Sequence, residues 1–131
     1  MAAHNETGKW GERVAVCHME KQGYVIRDTD WHYGKRDLDI VAITPAQDVL
    51  VIVEVKTRSD DGVIDPMLAV NEAKIRNLAI AANAYVKQYA VEADVRFDII
   101  TVVGIDEAHC KVRHVEDAFN PLLLNSWNTR R

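Results

Sequence analysis

The chain has 131 residues, of which 48% are hydrophobic and 27% charged, and this balance is typical of a folded globular protein. We expect one domain over residues 1–131, long enough to bury a sizeable core. The net charge of -4 argues against a protein that coats DNA, since such proteins are normally basic. It does not exclude a nuclease, because bound divalent cations offset the charge of a carboxylate cluster locally.

The segment "MAAHNETGKW" has no apolar region of the kind found in secretory signals. The longest apolar runs, Val49–Val53 and Leu78–Ala82, are too short to span a bilayer. Cys17 and Cys110 are expected to be reduced thiols, with a disulfide between them as the alternative. These features predict a cytoplasmic protein without a membrane segment.

The first half of the chain predicts a helix and three strands. The helix covers Thr7–Gln22, with Asn5 or Thr7 as its cap and Gly23 ending it. Polar residues and a proline between the second and third strands favour an antiparallel hairpin. The predicted strands are Tyr24–Asp28, Arg36–Ile43 and Asp48–Thr57.

The second half begins with a loop, after which Asp65 and Pro66 predict the opening of a helix from Met67 to about Ala90. Strands are then expected over Val95–Gly104 and His109–Glu116, and Ala118–Trp127 is expected to cap the core. The order α-β-β-β-α-β with one further strand predicts an α/β fold, in which helices flank a mixed central sheet.

Charged side chains stand at one end of the predicted hairpin. Along the third strand, Glu54 and Lys56 share one face, whereas the valines at alternate positions form the other. Folding the hairpin about a turn near Ala46 brings Asp39 level with residue 53 or 54. We expect Asp39 to oppose Glu54, because the other register would push a carboxylate into the valine layer.

Two neighbouring carboxylates repel each other unless a divalent cation lies between them, and oxygen ligands suit Mg²⁺ or Mn²⁺. The backbone carbonyl of Val55 is a further candidate ligand, and Lys56 can orient water or stabilise charge on a phosphate. The pattern therefore predicts metal-dependent phosphodiester hydrolysis. A structural ion-pair network at the rim of the sheet is the alternative that these residues leave open.

The hairpin resembles the PD-(D/E)xK core of restriction-endonuclease-like nucleases, whose metal site uses such an Asp and such a Glu-x-Lys. More closely, the chain up to about Val103 resembles the YraN-like family of bacterial proteins, which are regarded as endonucleases without a settled function. Arg36 and Asp37 depart from the family's Gly-Glu, which puts a role for Asp37 in doubt. The matching segments are "GERVA" (Gly11–Ala15), "DLDIVA" (Asp37–Ala42), "VEVKTR" (Val53–Arg58), "VNEAKIRNLAIAANAYV" with Lys74, and "RFDII" (Arg96–Ile100).

The resemblance implies a restriction-endonuclease-like core and a Mg²⁺- or Mn²⁺-dependent endonuclease that acts on nucleic acid, DNA rather than RNA. Asp39, Glu54 and the Val55 carbonyl would hold the metal, and Asp39, Glu54 and Lys56 would be catalytic. Whether the chain acts as a homodimer is left open. The alternative function is a non-catalytic module that keeps the fold and binds nucleic acid or a protein.

Three further residues are candidates for supporting roles. Related archaeal junction-resolving nucleases carry a glutamate on the equivalent helix, so the resemblance suggests that Glu12 assists the metal site. Lys74 and Arg58 are candidate phosphate ligands. A solvated helix face is the alternative for Glu12 and for Lys74.

Trp31, His32 and Tyr33 precede the second strand, and exposed aromatic rings there can stack on unpaired bases. Packing on the edge of the sheet is the alternative and the interpretation that we favour.

Overall fold

The computed structural model is a five-stranded mixed sheet with a helix on each face. It describes residues 2–59 and 70–121, with side chains from residue 9 onward. The strands lie in sequence order, and all neighbours are antiparallel except β3 and β4, which are parallel and joined by α2. The elements are α1 (Ala2–Lys21), β1 (Val25–Tyr33), β2 (Arg36–Ile43), β3 (Val49–Arg58), α2 (Glu72–Tyr89), β4 (Asp94–Asp106) and β5 (His109–Phe119).

The predicted order of elements and the mixed sheet are confirmed, and β2 has the predicted bounds. The predicted start of α1 is wrong: the helix begins at Ala2, so Asn5 and Thr7 lie inside it rather than capping it. β1 continues past Asp28 to Tyr33, pairing with β2 after an irregularity between Ile26 and Asp28, and Asp30 within it adopts a left-handed conformation (φ 50°).

The predicted opening of the second helix at Asp65 and Pro66 lies outside the described residues. The helix itself begins at Glu72, where the Asn71 side chain accepts the backbone N–H of Lys74 at 2.9 Å. β4 and β5 are both longer than predicted, so that Ala118 belongs to β5 rather than to a capping segment. Most of that predicted segment, residues 122–127, also lies outside the described residues. No helix in the described ranges is long and apolar enough to cross a membrane.

The two helices cover opposite faces of the sheet, and each covers its own apolar core. Because side chains alternate along a strand, β3 contributes to both cores. The α1 face is formed mainly by Trp10, Ala15, Met19, Ile40, Val51, Val53, Ile100 and Val102, and the α2 face by Leu78, Ala82, Tyr85, Val41, Leu50, Ile52 and Ile99.

The turn between β2 and β3 sets the register of the hairpin. Thr44 Oγ1 donates to Asp48 Oδ1 (2.7 Å) and accepts the backbone N–H groups of Asp48 and Val49 (3.3 and 3.1 Å). Gln47 closes the turn in a left-handed conformation with φ 62°. These contacts hold the loop at the length that pairs Ile43 with Leu50.

A buried carboxylate ties three elements together on the α1 face. Asp98 is fully buried and accepts two hydrogen bonds from Arg96 (2.9 and 2.8 Å), one from the Asp117 backbone (2.9 Å), and a contact with His114 Nε2 at 2.8 Å. The other ring nitrogen of His114 lies 3.2 Å from His18 Nε2 on α1. Burial opposes ionisation of Asp98, but the contacts with His114, Arg96 and Asp117 outweigh it and lower its pKa.

Replacing Asp98 with Ala should lower the free energy of unfolding by about 3–5 kcal/mol, because Arg96 and His114 would lose their buried partner. Urea unfolding followed by tryptophan fluorescence measures the change. Asp94→Ala, at an exposed position of the same strand, is the matched control and should stay within about 0.5 kcal/mol of the parent. An Asp98→Ala variant as stable as this control would contradict the network.

Gly11 lets α1 approach the end of β3. It is buried, and a Cβ built there would overlap Thr57 Oγ1 and approach Thr57 Cβ at 3.0 Å. A side chain at this position would therefore force the helix away from the strand. The contact brings the next residue, Glu12, towards the end of the hairpin.

Gly11→Ala should destabilise the protein by about 1–3 kcal/mol through overpacking, although alanine is the better helix former. Combining it with Thr57→Ala, which removes the overlapping hydroxyl, should recover part of the loss. Thermal unfolding of both variants and of Thr57→Ala alone checks this. A rise in melting temperature for Gly11→Ala alone would mean that the helix does not rest on Thr57.

Candidate active site and metal centre

The two carboxylates predicted to oppose each other lie close together at the end of the β2–β3 ladder, whose last backbone pair is Ile40 with Val53. Beyond this pair the Asp39 side chain continues the contact between the strands, because its Oδ2 accepts the backbone N–H of Val55 at 2.8 Å. Glu54 lies on the α2 side of the sheet, where it meets Lys74, and Asp39 reaches it from β2.

Glu54 is a buried carboxylate with one partner missing. Its side chain is 8% exposed, and Oε2 lies 3.4 Å from Lys74 Nζ. Its other oxygen, Oε1, is buried and has no hydrogen-bond partner among the residues that the structure describes. Leaving a buried acceptor unsatisfied costs about 1–3 kcal/mol, and more when the group is charged. The Oε1 atom of Glu54 is therefore available to a ligand that binds beside it.

The environment resists ionisation of both carboxyl groups. Burial, followed by the charge of Asp39, raises the pKa of Glu54 to about 7. Burial likewise raises the pKa of Asp39, although the Val55 N–H, the charge of Lys74 and a side-chain hydrogen bond with Glu54 act in the opposite direction. Two neighbouring buried carboxylates cannot both ionise cheaply without a compensating positive charge, which Lys74 and Lys56 supply in part.

Two lysines approach this pair from different elements. Lys56 follows Glu54 by two residues on the same face of β3, is half-buried, and lowers the pKa of Glu54 electrostatically. Lys74 comes from the first turn of α2, and its side chain is 42% exposed. The structure thus pairs Lys74 directly with Glu54, rather than leaving it on a solvated helix face.

Glu12 faces the site from α1. It is half-buried, and its pKa is raised to about 7 by burial first and then by the charges of Asp39, Asp30 and Asp37. The solvated alternative for Glu12 is therefore not what the structure has. Glu12 joins the electrostatic environment of Asp39, as the predicted supporting role requires.

The remaining candidates lie at the periphery. Arg58 is exposed at the last position of β3, and no carboxylate pairs with it in the described ranges. Asp37, whose role the sequence left in doubt, bonds to His32 on an exposed surface. Neither residue is held in the buried pair, although Arg58 continues the strand that carries Glu54 and Lys56.

Asp30 was not identified from the sequence. The β1–β2 register, which pairs Thr29 with Ile40 and Trp31 with Leu38, places it opposite Asp39, and its charge raises the pKa of Asp39 and Glu12. If the sequence analysis had extended the first strand to Tyr33, the same pairing would have placed Asp30 opposite Asp39. The left-handed conformation of Asp30 hides this continuation from a simple alternation pattern.

The donor set fits a hard divalent cation. Asp39 and Glu54 offer carboxylate oxygens, one of them buried and without a partner, and such oxygens are ligands of Mg²⁺ and Mn²⁺. Between residues 9–59 and 70–121, no three His, Cys, Asp or Glu side chains stand together as a ready metal cluster. Asp39 and Glu54 stay the predicted carboxylate ligands, and the Val55 carbonyl stays a predicted third ligand.

Comparison with solved structures gives a remote likeness to Pyrococcus furiosus SfsA, described in complex with Ca²⁺. The match has 12% sequence identity and a TM-score of 0.33, and it covers 86% of this chain and 63% of that one. A likeness at this level assigns neither fold nor ligand.

Sequence relatives are much closer. A UPF0102 protein of Bacteroides thetaiotaomicron is 46% identical over 124 residues, which cover 95% of this chain and 100% of the relative. One from Porphyromonas gingivalis is 46% identical over 125 residues, covering 95% and 90%. Another from Flavobacterium psychrophilum is 43% identical over 119 residues, covering 91% and 98%.

The model of the uncharacterised protein family UPF0102 matches residues 11–102, a range that begins at Gly11 and includes the hairpin, α2 and most of β4. This family is the YraN-like family that the sequence motifs resemble. The chain belongs to the family UPF0102.

Proposed function

We propose that this protein is a Mg²⁺- or Mn²⁺-dependent endonuclease that hydrolyses phosphodiester bonds of nucleic acid, acting on structured DNA such as a branch or flap. The observation that carries the proposal is the Glu54 carboxylate, which is buried beside Asp39 with one oxygen unpartnered among the described residues. A cytoplasmic location belongs to the same proposal.

The alternative of a purely structural ion-pair network can be weighed against a second buried carboxylate in the same sheet. Asp98 accepts hydrogen bonds at both oxygens, and its pKa is lowered. Glu54 has one ion pair, an unpartnered oxygen and a raised pKa. Since this fold satisfies a structural carboxylate fully at Asp98, the different treatment of Glu54 favours a functional role.

The order of elements supports assignment to the restriction-endonuclease-like superfamily. The chain has the sequence α1-β1-β2-β3-α2-β4 that the predicted core requires, with a parallel β3–β4 pair joined by α2. The Asp and the Glu-x-Lys occupy neighbouring strands at one end of the hairpin. We extend the assignment from this arrangement together with the motifs.

Asp39, Glu54 and the Val55 carbonyl would hold the metal. When bound, Mg²⁺ or Mn²⁺ polarises a phosphate and supplies an activated water. The chain's own residues do the rest: the Val55 N–H fixes the orientation of Asp39, and Lys74 offsets part of the charge on Glu54. Lys56 is free to orient the attacking water or to stabilise the negative charge that develops on the phosphate.

Glu12 and Arg58 would act at the edges of this centre. The raised pKa of Glu12 leaves it partly protonated near neutrality, so it can accept or release a proton beside the metal site. Arg58, exposed at the end of β3, would bind a neighbouring phosphate of the substrate through its planar guanidinium.

Two single variants should affect Mn²⁺ binding and cleavage differently. Asp39→Asn should weaken Mn²⁺ binding at least tenfold, because it removes a ligand, whereas Lys56→Ala should bind Mn²⁺ and lose cleavage by about 100-fold or more. Calorimetry measures the first effect, and a panel of branched, flapped, single-stranded and duplex substrates measures the second. Lys111→Ala, at an exposed position of β5, is the matched control.

Equal cleavage by Lys56→Ala and the parent would reveal a contaminating nuclease. Binding of nucleic acid without Mn²⁺ affinity or cleavage would support the non-catalytic alternative instead.

The stability of the metal-free protein should fall as pH rises. The folded pKa of Glu54 is raised from 4.5 to about 7, so its favourable contribution is complete below pH 4.5 and is lost as pH rises through about 7. Mn²⁺ should therefore raise the melting temperature more at pH 8 than at pH 5.5. Glu54→Gln should reduce this pH dependence to the part that Glu12 contributes, since its pKa is also raised to about 7, and should remove the Mn²⁺ effect. Thermal unfolding measures both changes.

Glu20→Gln, at an exposed position of α1, is the control and should behave as the parent does. A parent protein whose melting temperature at pH 8 ignores Mn²⁺ would refute the metal centre without reference to any activity.

A further inference from the structure

A hollow of about 530 Å³ opens at the end of α2 that is remote from Lys74. Its walls include Arg27 of β1, Gln47 of the β2–β3 turn, and Tyr89 and Glu92 at and beyond the end of the helix. None of these residues takes part in the proposed metal centre. The hollow combines an aromatic ring, a guanidinium and a side-chain amide, which is the chemistry that recognises a nucleobase.

Tyr89 forms a rigid wall of this hollow. Its side chain belongs to the large hydrophobic residues that remain exposed, at 42%. Its ring centroid lies 4.6 Å from that of Tyr85 and 6.4 Å from that of Trp31. The Tyr85 hydroxyl is fixed in turn by donating to Asp28 at 2.6 Å. A ring held this way can stack on a ligand with little loss of conformational entropy.

Arg27 completes the site from the neighbouring strand. Its guanidinium lies 5.5 Å above the ring of Tyr85, and the side chain is exposed. In the part of the chain that the structure describes, no carboxylate forms an ion pair with it. A guanidinium stacked on one aromatic ring and open to solvent can donate hydrogen bonds to a base edge.

The charges around the hollow favour a base over a phosphate. Glu92 contributes a carboxylate to the lining, and the end of α2 presents the negative end of the helix dipole. Both offset the attraction of Arg27 for a phosphate, whereas a neutral base can stack on Tyr89 and bond to Arg27 and Gln47.

The hollow and the proposed metal centre both include residues of β2. Ile43 lines the hollow, and Asp39 lies four residues earlier on the same strand, a distance of about 13 Å. A few nucleotides of single strand can span this distance. The ring of Trp31, which the sequence offered as a stacking residue in a loop, lies in β1 and packs against Tyr85, whereas His32 and Tyr33 are exposed.

We propose that the hollow bounded by Tyr89, Arg27 and Gln47 binds an unpaired nucleobase of the substrate. The inference rests on the proposed nuclease function and narrows its substrate class to nucleic acid with a single-stranded or flapped segment. A base inside a duplex is stacked on both faces and cannot enter the hollow without being unpaired.

Binding of a fluorescently labelled single-stranded oligodeoxynucleotide of 12 residues, measured by anisotropy in EDTA to prevent cleavage, tests this proposal. Tyr89→Ala should weaken binding about 5- to 100-fold, because it removes one base–ring stack. Tyr89→Phe should bind as the parent does, since stacking needs the ring and not the hydroxyl. Ile80→Ala, at a similarly exposed position on α2, is the matched control.

A 2-aminopurine placed in the oligonucleotide supplies a readout that a merely structural role would not change. Its fluorescence should be quenched on binding to the parent and to Tyr89→Phe, and should stay bright with Tyr89→Ala. Thermal unfolding of Tyr89→Ala verifies that the variant is folded. Undiminished binding and quenching in folded Tyr89→Ala would overturn the base site.

The two proposals fail separately. If Tyr89→Ala binds Mn²⁺ and cuts a flapped substrate as well as the parent does, the base site is wrong and the nuclease proposal stands. If the parent ignores Mn²⁺ and cuts nothing, yet binds single strands through Tyr89, the hollow stands as the site of a binding module.

Discussion

The hydrogen bond from the Val55 N–H to the Asp39 carboxylate is the interaction on which the rest of the site depends. It joins β2 to β3 where backbone pairing gives way to side-chain contact, and it holds Asp39 beside Glu54. Glu54 lies on the α2 side of the sheet, away from the valines packed under α1. One contact therefore reconciles a stable sheet with two buried acids.

Much of the fold could be predicted because its signals are local. The alternation in Arg36–Ile43 and the polar turn after it define the hairpin, and the register that opposes Asp39 to Glu54 follows from keeping acids out of an apolar layer. Helix ends were less predictable. The cap candidates Asn5 and Thr7 indicated a start at Thr7, whereas α1 begins at Ala2, because residues that favour caps also occur inside helices.

What the sequence could not provide are contacts between distant elements. The ion pair of Lys74 with Glu54 depends on how α2 sits across the sheet, and the approach of Glu12 depends on the missing side chain at Gly11. The Asp98 network was overlooked for a related reason, because a lone acid in the apolar stretch "RFDII" has no partner nearby in sequence apart from Arg96. Contacts between side chains that are far apart in the sequence become visible only in the folded structure.

The turn at Thr44 influences the candidate metal centre without contacting it. Its hydroxyl bonds hold the ribbon at one loop length, and side chains along a ribbon change sides with every residue of slip. A one-residue slip of β2 against β3 would turn the side chains of one strand to the opposite face and separate Asp39 from Glu54. Most surface loops tolerate length changes during evolution. Because the length of this loop helps to fix the register of the strands that carry Asp39 and Glu54, we expect it to vary in composition more readily than in length.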